Sequence, residues 1–108
     1  MEQNMYSELV SGILGALQND VFRIVLYGST ARGESTPESD VDIAVFVPAR
    51  ISLEAEDRLS DIIVDLNLKY NKVFSVIDID DAVYRKWKSV SPFFQNVDRE
   101  GITLWTAA

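Results

Sequence analysis

Apolar residues near the start of the chain recur at helical spacing. Tyr6, Leu9, Val10, Ile13, Leu14 and Leu17 share one face, which predicts an amphipathic helix over residues 4–18. Gly12 and Gly15 weaken that helix by about 1 kcal/mol each; they either allow close packing or are tolerated. Asn19-Asp20 ends it, and the pattern then changes. Val21 to Tyr27 is nearly continuous in apolar character, the mark of a strand buried on both faces apart from Arg23. Ser29 is placed to cap a short helical turn through Arg32, which Gly33 stops. Residues 34–39 are polar and include a proline, so they read as a loop. Val41–Val47 form a second strand, ended by Pro48.

Ser52 then caps a long helix reaching about Tyr70, with Leu59, Ile62, Ile63, Leu66 and Tyr70 as its buried stripe. Lys72–Ile79 form a third strand. Asp80-Asp81 open a further helix that carries Trp87. Ser91-Pro92 starts a short helix through Glu100, Gly101 stops it, and Ile102–Trp105 form a last short strand. This order predicts an α/β (α+β) fold, a mixed β-sheet with helices mainly on one face. The 108 residues form a single domain spanning 1–108, without repeats, low-complexity tracts or linkers.

Composition narrows the chemistry. There is no cysteine, so disulfides, thiolate nucleophiles and zinc–thiolate sites are excluded. There is no histidine, so carboxylates must serve as metal ligands and as general base. No apolar stretch approaches membrane-spanning length and the start is not that of a signal peptide, so a cytoplasmic location is expected. The net charge of −7 argues against the chain alone gripping nucleic acid. That charge is uneven: residues 1–81 carry 6 basic and 15 acidic residues, residues 82–108 carry 4 and 2. The basic excess, Arg85, Lys86, Lys88 and Arg99, is either a solvated helix face or a contact for triphosphate, RNA or an acidic protein. Trp87, Phe93 and Phe94 are core or interface residues. A small core leaves room for a partner surface, which a second copy of the chain is one way to fill.

The most informative segment lies between the first two strands. Gly28-Ser29 is followed, after ten residues, by Asp40-Val41-Asp42. Residues two apart on a strand point the same way, so Asp40 and Asp42 share a face beside the turn at Gly28. Two carboxylates there can hold Mg²⁺ (or Mn²⁺), with phosphate oxygens completing the octahedron. Gly28 lets a phosphate approach the backbone without a Cβ in the way. Ser29 offers a hydroxyl and an N–H. Arg32, one turn on, can reach phosphate or pair with Glu34 or Glu38.

The stretches Tyr27-Gly28-Ser29-Thr30-Ala31-Arg32-Gly33 and Ser39-Asp40-Val41-Asp42-Ile43-Ala44 resemble the signature of the nucleotidyltransferase superfamily, and the small size points to its minimal nucleotidyltransferase branch. The segment from Lys88 to Ile102, with Ser91-Pro92-Phe93 leading to Arg99-Glu100-Gly101, is similar to a subset of small proteins with that domain. The resemblance covers most of the chain and implies the palm fold of polymerase beta-like enzymes. It also implies transfer of a nucleoside monophosphate, AMP from ATP in the first instance, to a hydroxyl, with release of pyrophosphate. Asp40 and Asp42 would be the catalytic and metal-binding residues; Gly28, Ser29 and Arg32 would bind the nucleotide. The branch commonly accompanies HEPN-domain toxins, so the resemblance implies an antitoxin that adenylylates its partner.

One departure from the family pattern bears on turnover. Catalysing members carry a third carboxylate on a later strand, where this chain has Ser75. Asp78, three residues on, points to the opposite face of a regular strand unless a bulge intervenes. Asp65 on the long helix is a remote substitute. Two functions therefore stand from the sequence: a metal-dependent nucleotidyltransferase, or a catalytically weak or inactive nucleotide-binding module that neutralises a partner protein by binding it.

Overall fold

The computed structural model describes residues 2–107. Four strands form one sheet in the order β3-β2-β1-β4. They are β1 (Arg23–Tyr27), β2 (Val41–Val47), β3 (Phe74–Asp80) and β4 (Ile102–Thr106). β1 runs antiparallel to both neighbours, while β2 and β3 are parallel. The parallel pair requires a crossover, which the long helix supplies. The helices are α1 (Glu2–Ala16), α2 (Gly28–Ala31), α3 (Leu53–Tyr70), α4 (Asp81–Trp87) and α5 (Pro92–Glu100). The mixed sheet and its helices agree with the α+β palm expected above.

The two long helices cover one face. Leu9, Ile13 and Leu17 from the α1 region meet Leu59 and Leu66 of α3 over Ile24, Leu26, Ile43 and Val45. Gly12 lies toward α3: a Cβ there would come within 3.1 Å of Ile62 Cδ1, so its absence lets the helices approach. Gly15 faces open space and is only tolerated. Ser52 Oγ accepts from the Ala55 N–H at 3.1 Å and caps α3 as its sequence predicts. Glu8 ties the two helices together, accepting from Lys69 Nζ at 2.6 Å and Tyr70 OH at 2.7 Å.

The opposite face carries the short pair α4 and α5 over Val25, Ala44, Phe46 and Ile79. Arg23 anchors them. Its guanidinium lies 4.0 Å from the Phe46 ring centroid and bonds Asp98 Oδ1 at 3.1 Å, while Tyr84 OH donates to Asp98 Oδ2 at 2.8 Å. Asp98 thus fastens α5 to β1 and α4, and this fixes α5 beside the end of β1.

Boundaries shift by a residue or two from the sequence pattern. α1 ends two residues early because Gln18 and Asn19 both take left-handed backbone. β1 starts at Arg23, and Phe22 is 40% exposed rather than buried. Trp87 and Phe93 are also largely exposed, and only Phe94 packs on the core. Among the described residues no helix is long and apolar enough to cross a membrane.

Candidate active site

β1 delivers Tyr27 to the C-terminal end of its strand, where the antiparallel register sets it opposite Asp42. The chain then turns at Gly28, with φ +75°, directly into α2. Two constraints require glycine here. The left-handed backbone disfavours any side chain, and a Cβ would overlap the Asp42 Oδ2 and stand 3.2 Å from its Cγ. The Asp42 carboxylate is packed against the turn that the sequence singled out.

Ser29 is not the N-cap. Tyr27 holds that position without a side-chain cap bond, because the turn at Gly28 already begins the helix. Ser29 sits inside the first turn, its carbonyl accepting from the Glu34 N–H at 2.9 Å. Its hydroxyl has no partner among the described residues. Gly33, with φ +74°, stops the turn as expected.

Asp40 lies one residue before β2 and is exposed, so the two acids straddle the strand start rather than both belonging to it. They still interact. Burial first, and the Asp40 charge second, hold the Asp42 carboxyl above its ordinary value, and Arg32 pulls it the other way. Burial and the Asp42 charge likewise push the Tyr27 hydroxyl up. Arg32 is already paired: its Nε donates to Glu34 Oε1 at 2.8 Å and its Nη1 lies 3.5 Å from Glu100 Oε1. Glu34 is one of its two anticipated partners; Glu100 came from α5 instead of Glu38.

The parallel register sets Ser75 beside Asp42 on the same sheet face. Asp78 is in register with Val45, on the face of α1 and α3, and is exposed. Asp65 is exposed on α3, also on that far side. No cluster of three acidic, histidine or cysteine side chains suited to a metal occurs among the described residues. The carboxylates at the turn are those of Asp42 and, acting on it, Asp40. Two mutually repelling carboxylates, one partly desolvated, fit a hard divalent cation that takes its other ligands from phosphate and water.

The sequence reading missed a wall of this site. Phe93, Asn96, Val97 and Glu100 lie at i, i+3, i+4 and i+7 on α5 and line a cavity of about 200 Å³ with Tyr27, Gly28 and Arg32. The Phe93 ring meets Tyr27 edge-on, centroids 5.5 Å apart. The helical stripe was visible in the sequence; that it faces Tyr27 was not.

Known proteins resemble the chain in sequence and in fold. A family model described as a nucleotidyltransferase domain matches residues 8–94. A Methanocaldococcus jannaschii protein named "Putative protein adenylyltransferase MJ0604" is 31% identical over 104 residues, 96% of this chain and 98% of that protein. A second from the same organism, "Putative protein adenylyltransferase MJ0141", is 30% identical over 97 residues, 90% of this chain and 92% of its own length. Among solved structures, a toxin–antitoxin crystal structure with AMP-PNP contains a chain that superposes with a TM-score of 0.65 at 21% identity, covering 94% of this chain and 73% of that one. A tri-AMPylated Shewanella oneidensis HEPN toxin in complex with MNT antitoxin gives 0.62 at 20% identity, covering 99% and 74%. These structural likenesses establish the fold.

Proposed function

Because the chain belongs to the nucleotidyltransferase domain family, we propose that it is a metal-dependent protein adenylyltransferase, transferring AMP from ATP to a hydroxyl on a HEPN-type partner protein and thereby acting as an antitoxin. The supporting observation is the packing of the Asp42 carboxylate against Gly28, with Asp42 opposite Tyr27 across the β1–β2 pair. It brings Asp42 and the Gly28 turn together from 14 residues apart in sequence. The relatives named as protein adenylyltransferases support the choice of AMP and of a protein acceptor.

In this reading Asp40 and Asp42 hold Mg²⁺, which neutralises phosphate charge when bound. The missing Cβ of Gly28 lets the Asp42 carboxylate lie against the turn where the triphosphate binds, and Ser29 offers its hydroxyl and N–H. Arg32 must give up part of its pairing with Glu34 and Glu100 to contact phosphate. The acceptor oxygen attacks the α-phosphorus, the bond to the β-phosphate oxygen breaks, and pyrophosphate leaves. Ser75 is no base at neutral pH, so the acceptor's proton passes to solvent or to a group on the partner. The domain doing this is the whole of residues 1–108.

Transfer of label from α-³²P-ATP onto a co-expressed HEPN protein tests the proposal. Label that requires Mg²⁺ and disappears in Asp42→Asn is the expected result. A second reading is favoured by one observation, the position of Ser75 in register with Asp42. A site short of one acid can retain nucleotide and neutralise a partner by binding alone. Mg²⁺-dependent ATP binding and complex formation with no labelled partner would establish that reading instead.

A further inference from the structure

The cavity between α5 and the Gly28 turn shares Gly28 and Arg32 with the phosphate chemistry above, but its α5 wall has no part in it. We infer that it receives the nucleobase of the bound triphosphate, with Phe93 as the stacking surface and Asn96 and Glu100 as the groups that meet the base edge. This rests on the triphosphate lying at Gly28-Ser29 and adds where the rest of the nucleotide goes.

Position comes first. Gly28 and Tyr27 belong both to the cavity wall and to the surroundings of Asp42, so the space opens directly from the phosphate turn. Size comes second. About 200 Å³ is below the ~300–1,000 Å³ of pockets that enclose drug-sized ligands, and suits one flat ring system. Chemistry comes third. Phe93 is 40% exposed despite its contact with Tyr27, leaving part of the ring open to stacking. Val97, 2% exposed, forms an apolar floor.

Beside Arg32, the α5 side of the polar rim offers one donor and one acceptor. Asn96 Oδ1 accepts from Arg99 Nη2 at 2.6 Å, which fixes the amide so that its NH₂ remains to donate. Glu100 meets Arg32 through one oxygen at 3.5 Å and keeps its other for an N–H of the ligand. A donor beside an acceptor matches the edge of a nucleobase, which presents a ring or carbonyl acceptor next to an N–H. Arg32, in the same wall, is shared by Glu34 and Glu100, so one cation faces two carboxylates and the rim does not suit a bare phosphate.

Calorimetric titration of the full chain with Mg·ATP and with Mg·tripolyphosphate separates the two halves of the ligand. The wild type should bind ATP more tightly than tripolyphosphate. Phe93→Ala should lower ATP affinity roughly tenfold or more, the scale of a lost base–aromatic stack, with tripolyphosphate affinity unchanged. Asn96→Ala, at an exposed position that leaves the core intact, should lower ATP affinity alone by a few-fold. Equal affinity for the two ligands in the wild type would overturn the inference. So would variants that lose both ligands equally or neither. Binding of tripolyphosphate without preference for ATP would refute the base pocket while sparing the phosphate site; binding of neither ligand would remove both.

Discussion

The Asp42 carboxyl titrates above its ordinary value because burial and the Asp40 charge both disfavour its ionised form. A carboxyl raised in the folded state contributes most to stability below the ordinary carboxylate value, and that contribution is lost as pH rises through the folded value. At neutral pH the ionised group therefore works against the fold. Asp42→Asn should melt higher than wild type at pH 7, with the gap closing at pH 3, while its Mg·ATP affinity drops by more than about tenfold. Scanning calorimetry at the two pH values and titration calorimetry check both halves; an unaltered ATP affinity would remove Asp42 from the site. Ser75 gives the complementary experiment. Ser75→Asp puts a third carboxylate in register with Asp42, and AMP transfer should rise, by up to about 10²–10⁴ if the new group acts as general base. The added repulsion should lower the melting temperature in EDTA, and Mg²⁺ should restore it. A variant whose melting point ignores Mg²⁺ would place residue 75 away from the metal.

Between elements, the link from α1 to α3 runs through Glu8. Hydrogen bonds from Lys69, then Tyr70, hold its carboxyl below the ordinary value. The sign is opposite to that of Asp42: the contribution is full above the ordinary carboxylate value and is lost as pH falls through the lower folded one. Wild type should lose stability relative to Glu8→Gln between pH 5 and pH 3, followed by urea midpoints across that range. Parallel curves would show that the helix pair does not depend on this bond. The elements themselves were legible because their signals are local. Val41–Val47 has the bounds that the apolar run and Pro48 dictate. Ser52, Asp80 and Ser91 cap the helices that follow them. Ser75 beside Asp42 followed from strand alternation and the family's layout. What the sequence did not disclose joins distant residues: Arg32 to Glu100, Tyr27 to Phe93, Arg23 to Asp98. Each depends on where α5 lands on the sheet, and no periodicity within α5 encodes that. Ser29 failed as a cap for a local reason: Gly28's left-handed turn started the helix two residues sooner than a cap at Ser29 requires.

Across the molecule, β1 lies inside the sheet although it comes early in the chain. Its register joins Tyr27 to Asp42 on one side and Arg23 to Thr106 on the other, with an irregularity on the β4 side between Ile24 and Val25. That order has a consequence for the protein while it is being made. The first neighbour, β2, follows within 20 residues of β1, so the turn and its two acids can assemble on a short nascent chain. The second neighbour, β4, begins 75 residues after β1 ends, at Ile102 against Tyr27. At ~5–20 residues per second, β1 waits on the order of 4–15 s with one edge open, and an open strand edge is where chains pair wrongly. α5, which walls the cavity beside Tyr27, emerges just before β4. A chain still in synthesis therefore holds its carboxylates before it holds the wall against which a nucleotide would rest, and competence to bind one waits for α5.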